Sequence, residues 1–296
     1  MSALYLVDAS IYIFRAYFSL PESITNDKGH PANAVYGYAS FLSGLFATAK
    51  PTHVAAMFDE SLDSCFRNEI HPDYKSNRAP PDEDLARQLN WCKELTSLMG
   101  VKTYASNRYE ADDLIGTAAR YMRQHGFTMT YVTGDKDIGQ LISGRDRVWD
   151  YAKNEYYNQQ GIRERFGVKP NQLPDYLALA GDPVDVIPGV PGIGSKTAAA
   201  LIQRFGNLER LYRYLQTKSL PDAALQSVRG LERIDRQLRE HEQQAWMSRE
   251  LATIAESAGI RPTPITLQRS PVKKRALRDW LSRNGFGNRL GSRLGL

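Results

Sequence analysis

Short apolar runs alternate with longer segments of helical periodicity in the first half of the chain. The runs contain almost no polar residues, which is typical of strands buried on both faces of a parallel sheet. The predicted strands are residues 4–7, 54–58, 101–104, 128–133 and 148–151. The longer segments show the i, i+3, i+4 spacing of helices that pack on a core. The predicted helices are residues 33–49, 82–99 and 110–125. This alternation predicts a doubly wound α/β domain over residues 1–170.

The pattern becomes wholly helical after about residue 170. A turn rich in glycine and proline, residues 181–194, lies between two helical segments. The last segment, residues 271–295, is basic but keeps apolar residues such as Trp280, which predicts a packed terminal helix. We therefore expect a second, all-helical domain over residues 171–296.

Carboxylates follow the predicted strands directly. Asp8 ends the first apolar run, Asp59 ends the second, and Asp135 and Asp137 come just after residues 128–133. In open α/β sheets, binding sites form outside the carboxyl ends of the strands. We therefore expect these acids to meet at one edge of the sheet.

Three more acids, Glu110, Asp112 and Asp113, open a predicted helix. Acids at a helix start can simply complement the helix dipole, and that alternative stays open for any one of them. Nine carboxylates in all stand at strand ends or helix starts: Asp8, Asp59, Glu110, Asp112, Asp113, Asp135, Asp137, Asp182 and Asp185. All-oxygen ligands without Cys or His favour Mg²⁺, with Mn²⁺ able to substitute. Nine acids exceed the needs of one ion and predict two, roughly 3.5–4 Å apart, around a phosphodiester.

The charge is distributed unevenly along the 296 residues, whose net charge is +5. Residues 1–185 hold 19 basic and 24 acidic residues, whereas residues 186–296 hold 19 and 9. An acidic half joined to a basic half suggests a polyanion that one part holds and the other part processes, although a basic surface can also be merely solvated. Two cysteines without metal-like spacing, together with no secretory signal or membrane-length apolar run, lead us to expect a cytoplasmic protein without a membrane partner.

Residues 60–81 mix cations with aromatic residues and prolines. Lys75 and Arg78 are suited to holding phosphates, and Tyr74 or Phe66 to stacking on a base. A mobile surface loop is the alternative, which the pattern alone favours.

The turn at residues 188–198 resembles a phosphate-binding loop of nucleotide hydrolases, but Ser195 is an extra residue and no strand precedes the turn. Successive backbone N–H groups at a helix start can instead hold a nucleic-acid phosphate without reading bases. A helix-turn-helix with glycines for packing alone is the alternative. Further along, Arg229, Arg233, Arg236 and Arg239 form a basic helix face.

Taken together, these segments resemble the 5′-nuclease domain of bacterial DNA polymerase I, a branch of the flap-endonuclease superfamily. The matching segments are Leu6–Asp8, Ala34–Gly37, Phe58–Asp59, Phe66–Arg67, Tyr74–Arg78, Glu110–Asp113, Gly134–Asp137, Gly181–Asp182 with Asp185, and Pro188–Gly194. They occur in the family's order and cover nearly the whole chain. The chain ends where that domain ends, so we expect a free-standing member.

The resemblance implies a Rossmann-like (PIN-like), mostly parallel sheet, a helical arch at about residues 66–95, and a helix-three-turn-helix motif at about residues 182–206. It also implies that all nine acids serve two metal ions, with Asp113 between them, and that the turn at residues 189–194 can bind K⁺. Lys75, Arg78 and Asp113 are the implied catalytic residues. The implied DNA contacts are Arg67, Tyr74, Lys75, Arg78, Gly189, Gly192, Gly194, Ser195, Lys196 and Thr197. Val186 replaces the family's usual Asn.

We therefore expect a monomeric, Mg²⁺-dependent 5′-3′ exonuclease and flap endonuclease that acts on DNA with 5′ ends, flaps or nicks at the bacterial nucleoid. One alternative is a DNA-binding protein that has lost the chemistry, against which the intact set of acids argues. Another is a phosphatase with an Asp nucleophile, which would have no use for a basic helical half.

Overall fold

A six-stranded sheet forms the centre of the first half of the molecule. The structure, a computed structural model, describes residues 2–60, 64–220, 225 and 228–296. The strands are β1 (Ala3–Asp8), β2 (His53–Asp59), β3 (Lys102–Ser106), β4 (Thr128–Val132), β5 (Arg147–Asp150) and β6 (Glu155–Tyr157). Their order is β3-β2-β1-β4-β5-β6, parallel except for β6. The predicted α/β fold and its five parallel strands are confirmed, and β6 is an addition that the pattern did not predict.

Helices cover both faces of this sheet. The helices are α1 (Ala9–Ser19), α2 (Asn33–Ala49), α3 (Phe66–Ile70), α4 (Glu83–Leu98), α5 (Ala111–Gln124), α6 (Gln159–Phe166), α7 (Leu173–Ala180), α8 (Ser195–Phe205), α9 (Leu208–Leu215), α10 (Leu231–Glu240), α11 (Glu242–Ala252), α12 (Pro264–Leu267), α13 (Lys274–Arg283) and α14 (Asn288–Arg293). Val7 of β1 packs in the core with α2 and α4, whereas Leu4 and Leu6 pack with α5 on the opposite face. Burial on both faces explains why the apolar runs show no alternation.

Helices α7 to α11 build a second core of their own, in which Leu177, Leu201 and Leu211 are buried. The chain then returns to the sheet. Ile254 and Leu267 pack beside α5, and Trp280 packs with α2 and α4. This return differs from the predicted division, which placed residues 171–296 in one helical domain. Among the described residues, no helix is both long enough and apolar enough to cross a membrane.

Candidate active site

The carboxyl ends of the central strands carry acids that face one another. Asp8 is the last residue of β1 and caps α1, accepting a hydrogen bond from the Ile11 amide at 3.3 Å, while Thr133 Oγ1 donates to its other oxygen at 2.9 Å. Asp59 ends the neighbouring β2 and accepts from the Ala111 amide at 2.8 Å. That bond joins the start of α5 to the sheet edge, because Ala111 is the first residue of α5.

A cleft of about 180 Å³ opens at this edge. Its acidic lining residues are Asp8, Asp59, Glu110, Asp112 and Asp135, and Lys75 and Arg78 line it as well. The sequence prediction that acids from separate strands and from the start of α5 meet at one edge therefore agrees with the geometry.

Burial and, after it, the crowding of negative charge raise the pKa values of several of these acids. Burial, together with repulsion from Asp59 and Asp135, raises the pKa of Asp8 to about 7. Burial and repulsion from Asp135 also raise the pKa of Asp112 well above its usual value, and that of Asp137 to about 7. Such shifts arise where several carboxylates lack sufficient counter-charge. The arrangement therefore favours the binding of cations.

Glu110 and Asp185 are already paired with cations of the protein. Lys75 contacts Glu110 and lies 3.5 Å from Asp185 Oδ2, and Arg78 lies 2.6 Å from Asp185 Oδ1. Burial acts to raise the pKa of Glu110, but Lys75 and Arg67 lower it below its usual value. Lys75 adopts the left-handed backbone region, with φ of 54°, and its amide donates to the Asp185 carbonyl at 3.1 Å. Lys75 and Arg78, from the segment that the pattern alone predicted to be a surface loop, are thus held against the acids; residues 61–63 of that segment lie outside the described residues.

Asp113 lies behind the cleft, although the sequence placed it between two metal ions. Its side chain is fully buried, and Arg67 donates to Oδ2 and Oδ1 at 2.8 Å each. The amides of Ala255 and Glu110 donate to the same two oxygens. With four donors on two oxygens, this carboxylate anchors the structure and does not face a ligand. The expected catalytic role of Asp113 is therefore corrected.

Two predicted DNA contacts are also buried. Arg67 is only 3% exposed and donates to the carbonyls of Leu251 and Thr253 as well as to acids of α5. Tyr74 packs in the helical core, and its hydroxyl donates to Glu110 at 2.9 Å. Neither side chain is available to nucleic acid, because each is already occupied in linking the arch to the body of the protein.

The side chains that could bind a metal ion do not converge on one point among the described residues. Within the described part of the chain, no group of three or more Asp, Glu, His or Cys side chains converges closely enough to hold an ion. The donor set nevertheless suits Mg²⁺, because it is all oxygen and short of counter-charge. The buried Asp137 Oδ1, which has no hydrogen-bond partner, supports the same conclusion.

The glycine-rich turn joins α7 to α8 in a tightly packed form. Gly181 and Gly189 have φ of 72° and 62°, and a Cβ on Gly189 would lie 2.3 Å from the Gly181 nitrogen. The Gly189 amide and carbonyl bond Ser248 and Gln244 of α11, so this glycine faces inward. By contrast, Gly192, Gly194, Ser195 and Lys196 are exposed and Thr197 is half-buried. The start of α8 thus presents free backbone amides beside a lysine, as a phosphate contact requires.

Two basic residues lie near these features. The sequence did not single out Lys136, and it placed Arg233 on a basic helix face without indicating a contact with the turn. Lys136 lies 2.5 Å from Asp182 Oδ2 and so adds a cation to the acid cluster. Arg233 of α10 approaches the turn, since a Cβ on Gly192 would lie 2.6 Å from its Nη2. Lys136 could have been noticed as the one cation within the acidic segment 135–137. The approach of Arg233 depends on tertiary packing and has no local signal.

Replacing Val186 with Asn should raise the free energy of unfolding by about 1 kcal/mol. Val186 has φ of 57°, a region that is strained for a β-branched side chain and is readily adopted by Asn. The positive φ is a backbone reason for the Asn that usually occupies this position in the family, because Asn adopts this conformation more readily than Val. Chemical denaturation measures the change, with Val184→Asn as the control because Val184 is exposed and has no positive φ. No gain in stability would mean that the turn relaxes without cost.

The chain is similar to known nucleases along almost its whole length. Residues 3–167 match the family described as 5′-3′ exonuclease, N-terminal resolvase-like domain, and residues 168–275 match 5′-3′ exonuclease, C-terminal SAM fold. A 5′-3′ exonuclease of Aquifex aeolicus is 35% identical over 213 residues, which cover 72% of this chain and 73% of the relative. DNA polymerase I of Bacillus caldotenax is 37% identical over 262 residues, which cover 87% of this chain. The matched region spans only 28% of that polymerase.

Solved structures share the fold. A T5 flap endonuclease in complex with DNA and metal ions superposes with a TM-score of 0.68 at 22% identity, covering 95% of this chain and 98% of that one. The catalytic core of Rad2 in complex with a DNA substrate gives a TM-score of 0.65 at 14% identity, covering 100% and 92%. These likenesses show that the sheet and the helical half together form the same fold as in those structures.

Proposed function

The chain belongs to the 5′-3′ exonuclease family, and from this premise we propose that it is a 5′-3′ exonuclease and flap endonuclease that hydrolyses DNA with two Mg²⁺ ions. One observation carries the proposal above all. Acids from separate strands and from the start of α5 line a single cleft, and Lys75 and Arg78 of the arch reach into the same cleft. Acids can bind metal ions, and Lys75 and Arg78 of the arch can bind phosphate. One pocket therefore combines the two kinds of group that metal-dependent phosphodiester hydrolysis needs.

Eight acids are proposed to hold the ions: Asp8, Asp59, Glu110, Asp112, Asp135, Asp137, Asp182 and Asp185. When bound, paired divalent ions activate the attacking water and stabilise the leaving oxygen. Lys75 and Arg78 would hold the scissile phosphate and stabilise the negative charge that grows on it. They can do so because the same ammonium and guanidinium groups already reach the cleft.

The helical half is proposed to hold the duplex through its phosphates. The exposed Gly192, Gly194, Ser195, Lys196 and Thr197 at the start of α8 are the proposed contacts, and K⁺ bound at residues 189–194 remains part of the proposal. Contacts of this kind position a duplex without reading its bases. The proposed substrates are therefore selected by shape, as 5′ ends, flaps and nicks, by a monomer acting in the cytoplasm.

The test is incubation with a 5′-flapped duplex in Mg²⁺, in Mn²⁺, in Ca²⁺ and in EDTA. We expect cleavage in Mg²⁺ and Mn²⁺ and none in EDTA. Cleavage that is insensitive to EDTA would contradict metal catalysis. Binding without cleavage in every metal would instead favour the alternative of a DNA-structure-binding protein.

Replacing Lys75 with Ala should lower the turnover rate about 100-fold while changing the affinity for DNA much less. The reason is that a cation aimed at charge developing in the transition state acts on the rate more than on ground-state binding. Single-turnover kinetics measures the rate, and binding in Ca²⁺ measures the affinity. Lys102→Ala, at an exposed position on β3, is the control. Equal losses in rate and affinity would assign Lys75 to binding alone.

Replacing Lys196 with Ala should weaken binding by about the same factor for every DNA sequence. Loss of one phosphate contact should also reduce the slope of log affinity against log salt by about 0.9. Titrations at several salt concentrations, with two unrelated duplex sequences, measure both effects. An unchanged slope would remove the start of α8 from the DNA-binding surface, and Lys102→Ala again serves as the control.

A further inference from the structure

The eight acids proposed to hold the ions fall into two groups that differ in their counter-ions. Among the described residues, none of Asp8, Asp59, Asp112 and Asp135 has a Lys, Arg or His nitrogen within ion-pair distance. Each member of the other group, Glu110, Asp137, Asp182 and Asp185, has at least one such cation. The two halves of the acid cluster are therefore not equivalent before any ion binds.

The cations of the second group have different origins. Lys75 and Arg78 belong to the arch, whereas Lys136 belongs to the acidic loop itself, between Asp135 and Asp137. Its Nζ lies 2.5 Å from Asp182 Oδ2 and 3.9 Å from Asp137 Oδ1. Because the loop follows the central strand β4, a movement of the arch does not carry Lys136 away from these acids.

The oxygens around Lys136 are those that a ligand would use. Asp182 Oδ1 already accepts from the Val184 amide at 3.0 Å, so Oδ2 is the atom left for a ligand, and Lys136 holds it. Asp137 is only 9% exposed, and its Oδ1 is buried without a hydrogen-bond partner. A buried carboxylate oxygen in this state is costly, and a ligand would satisfy it.

We propose that Lys136 is a built-in competitor for the second divalent ion, and that a DNA phosphate relieves the competition by accepting its ammonium group. The proposal rests on the proposed function and deepens it. Lys136 must leave Asp182 before that carboxylate can bind a divalent ion fully. Its side chain is 28% exposed, so its ammonium group can turn outward to an anion that approaches from the solvent. Binding of DNA and of the second ion are then linked, and each strengthens the other.

Calorimetric titration of Ca²⁺ into the DNA-free protein tests the competition. In the wild type we expect a tighter and a weaker binding event. In Lys136→Met the weaker event should tighten by about tenfold or more, the effect expected when a charge a few ångströms from a carboxylate is removed. The tighter event should change much less, because no protein cation has to leave the first group. Lys136→Gln is measured alongside, as a second neutral variant.

Two control variants separate competition from a general change in charge. Lys136→Arg keeps the cation and should bind Ca²⁺ as the wild type does. Lys153→Met removes a lysine that pairs with Asp150 at 2.9 Å, outside both acid groups, and should leave both events unchanged. Equal tightening in Lys153→Met would reduce the effect to net charge and would overturn the proposal.

Thermal unfolding and added DNA complete the test. In chelator, Lys136→Met should unfold at a lower temperature than the wild type, and saturating Ca²⁺ should abolish the difference. A short duplex should tighten the weaker event in the wild type and less so in Lys136→Met. An unchanged or weaker second event in both neutral variants would overturn the proposal. Failure of the wild type to cleave DNA would overturn the proposed function but would leave these binding results standing.

Discussion

Replacing Arg67 with Met is expected to lower the free energy of unfolding by about 3–5 kcal/mol, the usual cost of breaking a buried ion pair. Arg67 is 3% exposed, and its guanidinium pairs with the fully buried Asp113 through two bonds of 2.8 Å. It also donates to the carbonyls of Leu251 and Thr253. Without it, Asp113 keeps a buried negative charge and two carbonyls lose a donor.

Denaturant unfolding measures this loss. Arg108→Met is the matched control, because Arg108 pairs with Glu69 near the same helix α3 but both side chains are largely exposed to solvent. Exposed ion pairs contribute little, so the control should unfold as the wild type does. If both variants lost the same stability, the burial of Arg67 would not be the cause. Loss of DNA binding in a stable Arg67→Met protein would restore Arg67 to its predicted role.

Replacing Asp135 with Ala is expected to lower the cleavage rate by at least about 1,000-fold, the upper range for loss of a single group that stabilises a transition state. Asp135 lines the cleft, and its charge contributes to raising the pKa of Asp8 and of Asp112. It therefore acts on two of the eight acids that we propose as metal ligands. Asp112→Ala should have a similar effect on the rate.

The Asp135→Ala variant should lose activity without losing thermal stability. Removing one of several crowded negative charges relieves repulsion, so Asp135→Ala should unfold at a temperature equal to or above that of the wild type in chelator. Cleavage assays in Mg²⁺ and thermal unfolding in EDTA give the two readings, and binding in Ca²⁺ shows whether DNA is still held. Asp279→Ala, at an exposed acid on α13, is the control. Cleavage at the wild-type rate would exclude Asp135 as a metal ligand.

The convergence of acids could be predicted because it depends on local rules. Asp8 and Asp59 each end an apolar run, and parallel strands bring their carboxyl ends to the same edge. Strand identity and register follow from the same apolar runs, so two short segments fix the position of the cleft.

The separate roles of Asp112 and Asp113 could not be predicted in the same way. Neighbours on a helix differ by about 100° in direction, but the sequence does not say which direction faces the cleft. That choice is made by Arg67, which comes from a helix more than forty residues earlier, and by the Ala255 amide from the far end of the chain. Family resemblance assigned a metal to both acids because it transfers a motif and not its surroundings.

The packing of the last helices on the sheet could not be predicted from the sequence, for a related reason. Leu277, Trp280 and Leu281 predict a packed helix but contain no information about its partner. Helical periodicity identifies the buried side of a segment, and the surface that it covers emerges only from tertiary packing. The division at about residue 170 was therefore drawn where the pattern changes, whereas the packing continues past it.

The packing of residues 254–286 on the first half of the chain affects how the protein folds during its synthesis. The first 170 residues leave the ribosome with the flank of α2 and α4 still bare, because Trp280 and Phe286, which cover it, are synthesised much later. Likewise, Asp113 Oδ1 gains the Ala255 amide as a hydrogen-bond donor only after residue 255 has been synthesised. A nascent chain thus emerges with apolar surface exposed on its first half, and that surface is covered only after Trp280 and Phe286 have been synthesised. A chaperone that binds exposed apolar surface should accordingly engage the nascent chain until these residues have been synthesised, and release it once they pack on α2 and α4.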